Sequence, residues 1–186
     1  MNKLRTIYLF AFVLLCVAVA AQAGGYEAQL MVNSQNPIAV QSPSLGAGVE
    51  YLFTVSGLYS YDYGADYADA EFSSYRGVWS EYYYGIPSAT DTLDLVVNGS
   101  FVDWLGSTDG INYAAHTFSP DTVYRYYYTG TGWPASFYIY DASRYDNAGS
   151  LMVDIEEVPE PSGLLALVGG CAGALAAIRR KRTSFR

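Results

Sequence analysis

The sequence predicts an all-β protein, a two-sheet β-sandwich of jelly-roll type, flanked by an N-terminal signal helix and a C-terminal transmembrane helix. Three observations lead there. Short runs rich in Val, Ile, Tyr and Thr recur between clusters of Gly, Asn, Asp, Pro and Ser. No stretch of residues 24–157 sustains a helical apolar period. The two ends carry charge-free apolar runs beside basic residues, which is the pattern of membrane-directed segments rather than of a soluble fold.

At the N-terminus, Lys3 and Arg5 precede an apolar stretch from Ile7 to Ala20, followed by Ala21-Gln22-Ala23. A charged region, an apolar core and a small-x-small site make residues 1–23 a secretory signal peptide, to be cut by signal peptidase between Ala23 and Gly24. Cys16 does not make it a lipoprotein signal, because Leu15 stands where a small residue is required.

Strands are expected at 28–32, 49–55, 92–97, 100–105, 123–128, 136–140 and 150–155. Asn98-Gly99 lies between two of these runs and predicts a type I′ hairpin turn, since both central residues of that turn need positive φ. The same residues spell the sequon Asn98-Gly99-Ser100; the turn is the preferred reading. Residues 24–157 form one domain, long enough for a packed core.

Tyrosine is abundant, with 18 of the 19 in the exported domain. Neighbours on a strand point to opposite faces, so Tyr124, Tyr126 and Tyr128 are expected on one face, with Arg125 and Tyr127 on the other. Packing is the expected role of most of these rings and of Trp79, Trp104 and Trp133. A minority remain candidates for stacking on sugar rings. Trp133-Pro134 follows Gly130-Thr131-Gly132 and is placed in a turn.

Charge and cysteine usage narrow the function. The chain has a formal net charge of −8, but seven of its ten basic residues lie in the two ends. Residues 24–158 keep only Arg76, Arg125 and Arg144 against 17 acids, a net charge of −14. Nucleic acid, which needs a basic footprint, is excluded as a partner. Cys16 lies in the signal peptide and Cys171 in the C-terminal apolar run, so the exported domain has no disulfide and relies on its core, with or without a bound metal.

Catalysis has little support. The exported domain has no cysteine, no lysine and one histidine, His116, which reads as a structural or surface residue. A Cys/His zinc constellation is excluded. The protein is therefore expected not to be an enzyme.

The densest group of oxygen donors follows the run at 136–140. Asp141 stands at the strand end, Asp146-Asn147 closes a short loop, and Gly149 opens the last strand. Carboxylate and amide oxygens at this spacing suit either a calcium ion or an ordinary Asp/Asn-rich turn. A second acidic stretch, with Asp62, Asp66, Asp69 and Glu71, is expected to be a solvated loop.

The C-terminal 29 residues have three parts. Val158-Pro159-Glu160-Pro161-Ser162 is a proline-stiffened extended motif with one charged handle. Residues 162–178 form an apolar helix of 17 residues, at the short end of what spans a bilayer, about 17–25. Arg179, Arg180, Lys181 and Arg182 then open the basic tail, 179–186, a stop that stays on the cytoplasmic side.

This order of motif, span and basic cluster resembles the PEP-CTERM sorting domain. The resemblance implies a substrate of exosortase, a membrane-embedded transpeptidase of Gram-negative bacteria, cut near Pro159-Glu160-Pro161. It implies a transient inner-membrane anchor, then release to the cell envelope or extracellular matrix, in association with exopolysaccharide and biofilm. The exported domain, in turn, is similar to the small calcium-dependent galactophilic bacterial lectins, which are galactose-binding-domain-like. The similar residues are Asp141 at a strand end, the Asp146-Asn147 loop and the final alternating strand. Val55-Ser56-Gly57-Leu58-Tyr59-Ser60-Tyr61 is similar to that family's strand and metal loop. The resemblance implies Asp141, Asp146 and Asn147 as side-chain ligands of Ca2+, with backbone oxygens from Tyr61 and Tyr145. The sugar-contacting histidine of that family has no counterpart here. Two functions follow as expectations: a calcium-assisted carbohydrate-binding or matrix-associating module, or a structural surface protein without a specific small ligand.

Overall fold

The computed structural model of the 186-residue chain describes residues 25–81 and 93–159. The expected signal peptide, with Ala21, Ala23 and Gly24, lies outside these residues. So do Glu160, Pro161 and Ser162 of the sorting motif, the expected helix over 162–178, and Arg179, Arg180, Lys181 and Arg182. Tyr26–Glu157 forms one compact unit. Among the described residues no helix is long and apolar enough to cross a membrane.

The unit is all-β. Its strands are β1 (Tyr26–Asn33), β2 (Val40–Ser44), β3 (Glu50–Ser56), β4 (Tyr59–Ser60), β5 (Tyr67–Ala68), β6 (Ser73–Tyr75), β7 (Val78–Ser80), β8 (Leu95–Val97), β9 (Tyr124–Thr129), β10 (Pro134–Ile139) and β11 (Ala148–Glu157). All pairings are antiparallel. β11 is the organising strand: β1 lies along one side, and β3 followed by β9 along the other. The first residues of β11, Ala148 and Gly149, pair with β4, from which β5, β6 and β7 continue as a narrow ribbon. A second sheet has the order β2-β10-β8.

Period-2 patterning explains how the layers face each other. Tyr51, Phe53 and Val55 of β3 are buried, as are Ala135, Phe137 and Ile139 of β10 and Leu151, Val153 and Ile155 of β11, while their neighbours are more exposed. Each buried Val, Leu, Ile or Phe among them contributes about 1.5–3 kcal/mol on burial. Phe53 of the large sheet meets Phe137 of the small one edge to face, with ring centroids 5.1 Å apart, so the core is sandwich-like. Tyr124 is fully buried, and Tyr126 and Tyr128 pack on Phe53, while Tyr127 is exposed, in accord with the expected alternation.

Asn98 and Gly99 have φ of +51° and +78°, and Val97 and Ser100 exchange backbone hydrogen bonds across them, as the hairpin reading requires. The strand expected over 100–105, however, does not form beyond isolated bridges at its two ends. The edge of β8 that it would have occupied is already satisfied: Leu95 donates its N–H to the Ala70 carbonyl, and its own carbonyl accepts Trp104 Nε1 at 2.9 Å. An inserted indole replaces a strand. Trp133 is exposed beside the start of β10, as expected of a turn residue.

Candidate functional site

Beyond β10, Tyr140 donates its N–H to the Asp94 carbonyl, which holds the chain in line as it leaves the sheet. Asp141 Oδ1 then accepts the Ser143 N–H at 2.9 Å, turning the chain into a short 3-10 turn, Arg144–Asp146. Arg144 directs Nη2 to the Ile139 carbonyl. Asn147, 2% exposed, is clamped from two sides: its Nδ2 donates to the Ser34 carbonyl at 3.0 Å, and its backbone carbonyl accepts Gln35 Nε2 at 2.6 Å. This anchorage fixes which atom of the amide is the oxygen.

Three oxygens of this loop are buried without a hydrogen-bond partner: Asp141 Oδ2, Asp146 Oδ1 and Asn147 Oδ1. An unsatisfied buried acceptor costs about 1–3 kcal/mol, so native proteins rarely leave three in one loop. They sit on the three side chains that the sequence singled out. Two carboxylates and an amide make an all-oxygen donor set, the chemistry that suits a hard cation.

The neighbouring turn touches this loop through its backbone. Tyr61 donates its N–H to the Asp66 carbonyl, and Tyr63 donates to the Asp146 carbonyl at 3.1 Å, so residues 61–63 rest against the loop. The Tyr145 ring is exposed and leans on Tyr63, with centroids 6.3 Å apart. Close by, burial pushes the Tyr59 phenol well above its usual range, and the negative charges of Asp94, Asp141 and Asp69 push it further. Its hydroxyl donates to the Leu93 carbonyl.

The acidic stretch at 62–71 overturns the expectation of a solvated loop. Asp62 is exposed, but Asp66, Asp69 and Glu71 are 6%, 1% and 5% exposed. Each caps backbone N–H groups, those of the narrow ribbon for Asp66 and Asp69 and that of the more distant Trp104 for Glu71. Asp66 accepts the Arg76 N–H, Asp69 Oδ1 accepts those of Glu71 and Phe72, and Glu71 Oε2 accepts that of Trp104. Asp69 Oδ2 takes the Tyr124 hydroxyl at 2.9 Å. Burial raises the Asp69 carboxyl to about 6, against the lowering effect of these hydrogen bonds.

Glu71 also belongs to a group that the sequence did not reveal. One ligand atom each from Glu71, Glu81 and His116 lie within 4.8 Å of one another. His116 Nδ1 pairs with Glu81 Oε1. The imidazole is largely exposed, as a surface histidine should be, but it is not alone. Separations of 10 and 35 residues along three different segments form no motif, so only the fold could bring these side chains together.

A surface cleft of about 500 Å³ opens beside β9, lined by Phe101, Asp103, Leu105, Tyr126 and Tyr127 among others. Phe101 packs edge to face on Tyr140, the residue before Asp141, with centroids 5.2 Å apart.

The site therefore defines an all-β, sandwich-like domain with an oxygen-lined loop at the end of one inner strand. Comparison with protein-family models, curated proteins and solved structures finds no match to this chain.

Proposed function

We propose that this chain is an exported PEP-CTERM-type protein, trimmed by exosortase, whose β-domain is a calcium-assisted carbohydrate-binding or exopolysaccharide-associated module. The observation that carries the proposal is the set of three buried, unpartnered oxygens on Asp141, Asp146 and Asn147. A calcium ion would be held by these side chains, with Tyr61 and Tyr145 as the proposed backbone donors. Its chemistry there is to neutralise a carboxylate pair and to offer open coordination positions to vicinal hydroxyls. The chain's own residues do the remaining work. Ser34 and Gln35 orient Asn147, the Ser143 N–H turns Asp141, and the Tyr63 N–H holds the Asp146 backbone. The aromatic cleft that leads from Tyr127 to Phe101 offers ring faces on which a pyranose can stack.

The test is retention of the exported protein on the producing cell's own polysaccharide. Retention in calcium, release by chelator and loss in Asp141→Ala are expected. Retention indifferent to both chelator and Asp141→Ala would refute the calcium-assisted module. Sorting is tested separately by the intact mass of the exported chain. Cells lacking exosortase are expected to keep the residues beyond the Pro159 region, and equal masses in both strains would reject that part.

A further inference from the structure

We infer that Tyr63 and Tyr145 are the ligand-contacting side chains of the Asp141 loop, an aromatic rim that stacks on the apolar face of a neutral pyranose whose hydroxyls take the open positions of the ion. The inference rests on the calcium reading proposed above and adds the two residues that hold the sugar ring. Both are tied to the loop whose oxygens lack partners. Tyr145 immediately precedes Asp146, and the Tyr63 N–H donates to the Asp146 carbonyl at 3.1 Å. Asn147, 2% exposed, stands next in the chain with its Oδ1 unpartnered.

Neither ring belongs to the core. Tyr63 is 74% exposed and Tyr145 78%, and they meet each other, with centroids 6.3 Å apart and planes inclined at 59°. Rings in mutual contact leave no slot for a third ring between them. A pyranose must therefore lie on their outer faces, which their exposure leaves open. Tyr63 is also kept where its backbone is unfavourable. Its φ is +46°, followed by Gly64 at +86°, in a turn closed by the Ala65 N–H on the Asp62 carbonyl at 2.7 Å. Asn, Asp or Gly suits the first of these positions, and a bulky ring there is an outlier of the kind that clusters at ligand sites. Desolvation, then the charges of Tyr145 and Asp146, raise the Tyr63 phenol above its usual range. It therefore stays a neutral hydroxyl, able to donate to a sugar oxygen beside an ion ligand.

The charges around the rim select the sugar. The carboxylates of Asp141 and Asp146 together offset one divalent cation, and the exposed Asp62 adds a negative charge next to Tyr63. Arg144, the loop's own cation, directs Nη2 to the Ile139 carbonyl instead. A uronate would add its charge to that of Asp62, whereas a neutral ring adds none.

The experiment uses the full-length chain in detergent micelles, with polysaccharide extracted from the producing cells and immobilised on a sensor surface as the probe. Calcium binding is read as the rise in Tm, and retention as the dissociation constant on the surface. Tyr63→Gly removes the ring, relieves the positive φ and keeps the N–H that holds Asp146, so folding is not at risk. Tyr63→Gly and Tyr145→Ala are each expected to keep the parent's calcium rise and to weaken retention about tenfold. Trp133→Ala removes a ring of similar exposure at the other end of β10 and is expected to be retained as the parent is. Retention of the parent is expected to persist in about 0.5 M NaCl, as for an uncharged ligand. Either tyrosine variant retained as tightly as the parent, with its calcium rise intact, would overturn the inference and leave the calcium reading standing. So would loss of the calcium rise in Tyr63→Gly, which would make Tyr63 a support of the ion loop, and so would release of the parent by salt. No calcium rise in the parent would overturn the calcium reading and the inference together.

Discussion

Replacing Trp104 by Phe tests how the edge of the small sheet is held. Trp104 is fully buried, tilts against Tyr126 at 5.7 Å, and donates Nε1 to the Leu95 carbonyl at 2.9 Å. Phe keeps a ring in place but removes the donor and about two apolar ring carbons, worth roughly 1.6 kcal/mol at ~0.8 kcal/mol each. The Leu95 carbonyl, on a fully buried residue, loses its partner, which costs about 1–3 kcal/mol. The sum is a loss of about 2.6–4.6 kcal/mol. For a domain of this size that corresponds to a fall in Tm of roughly 10 °C. Urea unfolding of the full chain followed by far-UV circular dichroism measures it, with Tyr127→Phe as an exposed control expected to change stability by less than about 0.5 kcal/mol. If Trp104→Phe costs less than about 1 kcal/mol with an unchanged m-value, the indole is not what closes this edge.

Other outcomes follow from the same contacts. Gly106→Ala would place its Cβ 1.8 Å from the Thr117 carbonyl oxygen, so this chain is expected to fail to fold or to lose more than about 3 kcal/mol, seen as protease sensitivity at ambient temperature. Saturating calcium, at about 100 times its Kd, is expected to stabilise the parent by about 2.7 kcal/mol and to raise its Tm by several degrees, with no rise in Asp141→Ala. An equal rise in both would place the stabilising ion elsewhere. Asp109 accepts the N–H groups of Ile111 and Asn112 at 2.8 Å, and these bonds hold its carboxyl well below the ordinary range of 3.8. Because the pKa is lowered on folding, the order it gives the 107–112 loop is present above pH ~4 and is lost only as pH falls through the depressed value. Hydrogen exchange at Ile111 and Asn112 is therefore expected to stay slow through mildly acidic pH, and to quicken at neutral pH in Asp109→Ala. If the proposed C-terminal trimming holds, Glu160→Ala is expected to leave the C-terminal residues attached, read by intact mass of the protein from the producing cells.

The parts of the fold legible in the sequence are those governed by local rules. Alternating burial in β3, β10 and β11, the two faces of β9, and the positive-φ pair at Asn98 and Gly99 all follow from strand periodicity and turn sterics. The oxygen-rich loop was legible for the same reason, since Asp141, Asp146 and Asn147 lie within seven consecutive residues. What sequence patterning misplaced were segments whose partners are distant. Residues 100–105 alternate well enough for a strand, but Trp104 takes the Leu95 carbonyl and Glu71 takes the Trp104 amide, so the ladder has no free edge to offer. Asp66, Asp69 and Glu71 look like a solvated acidic run. Asp66 and Asp69 are buried because a ribbon of two- and three-residue strands leaves backbone N–H groups for their carboxylates to accept, and Glu71 because it accepts the distant Trp104 N–H.

By itself, then, the sequence determined the β class, the sandwich-facing residues, the acidic cysteine-free character of residues 24–157 and the loop in which Asp141, Asp146 and Asn147 stand. Tertiary structure alone decided that Asn147 is clamped by Ser34 and Gln35 so that three oxygens stay unpartnered, and that Glu71, Glu81 and His116 meet. The physical reason is range. Dihedral preference and period-2 burial act within a few residues of chain, whereas hydrogen bonds and donor clusters form between residues up to 113 apart, and only the packed sheets fix which of those pairs touch.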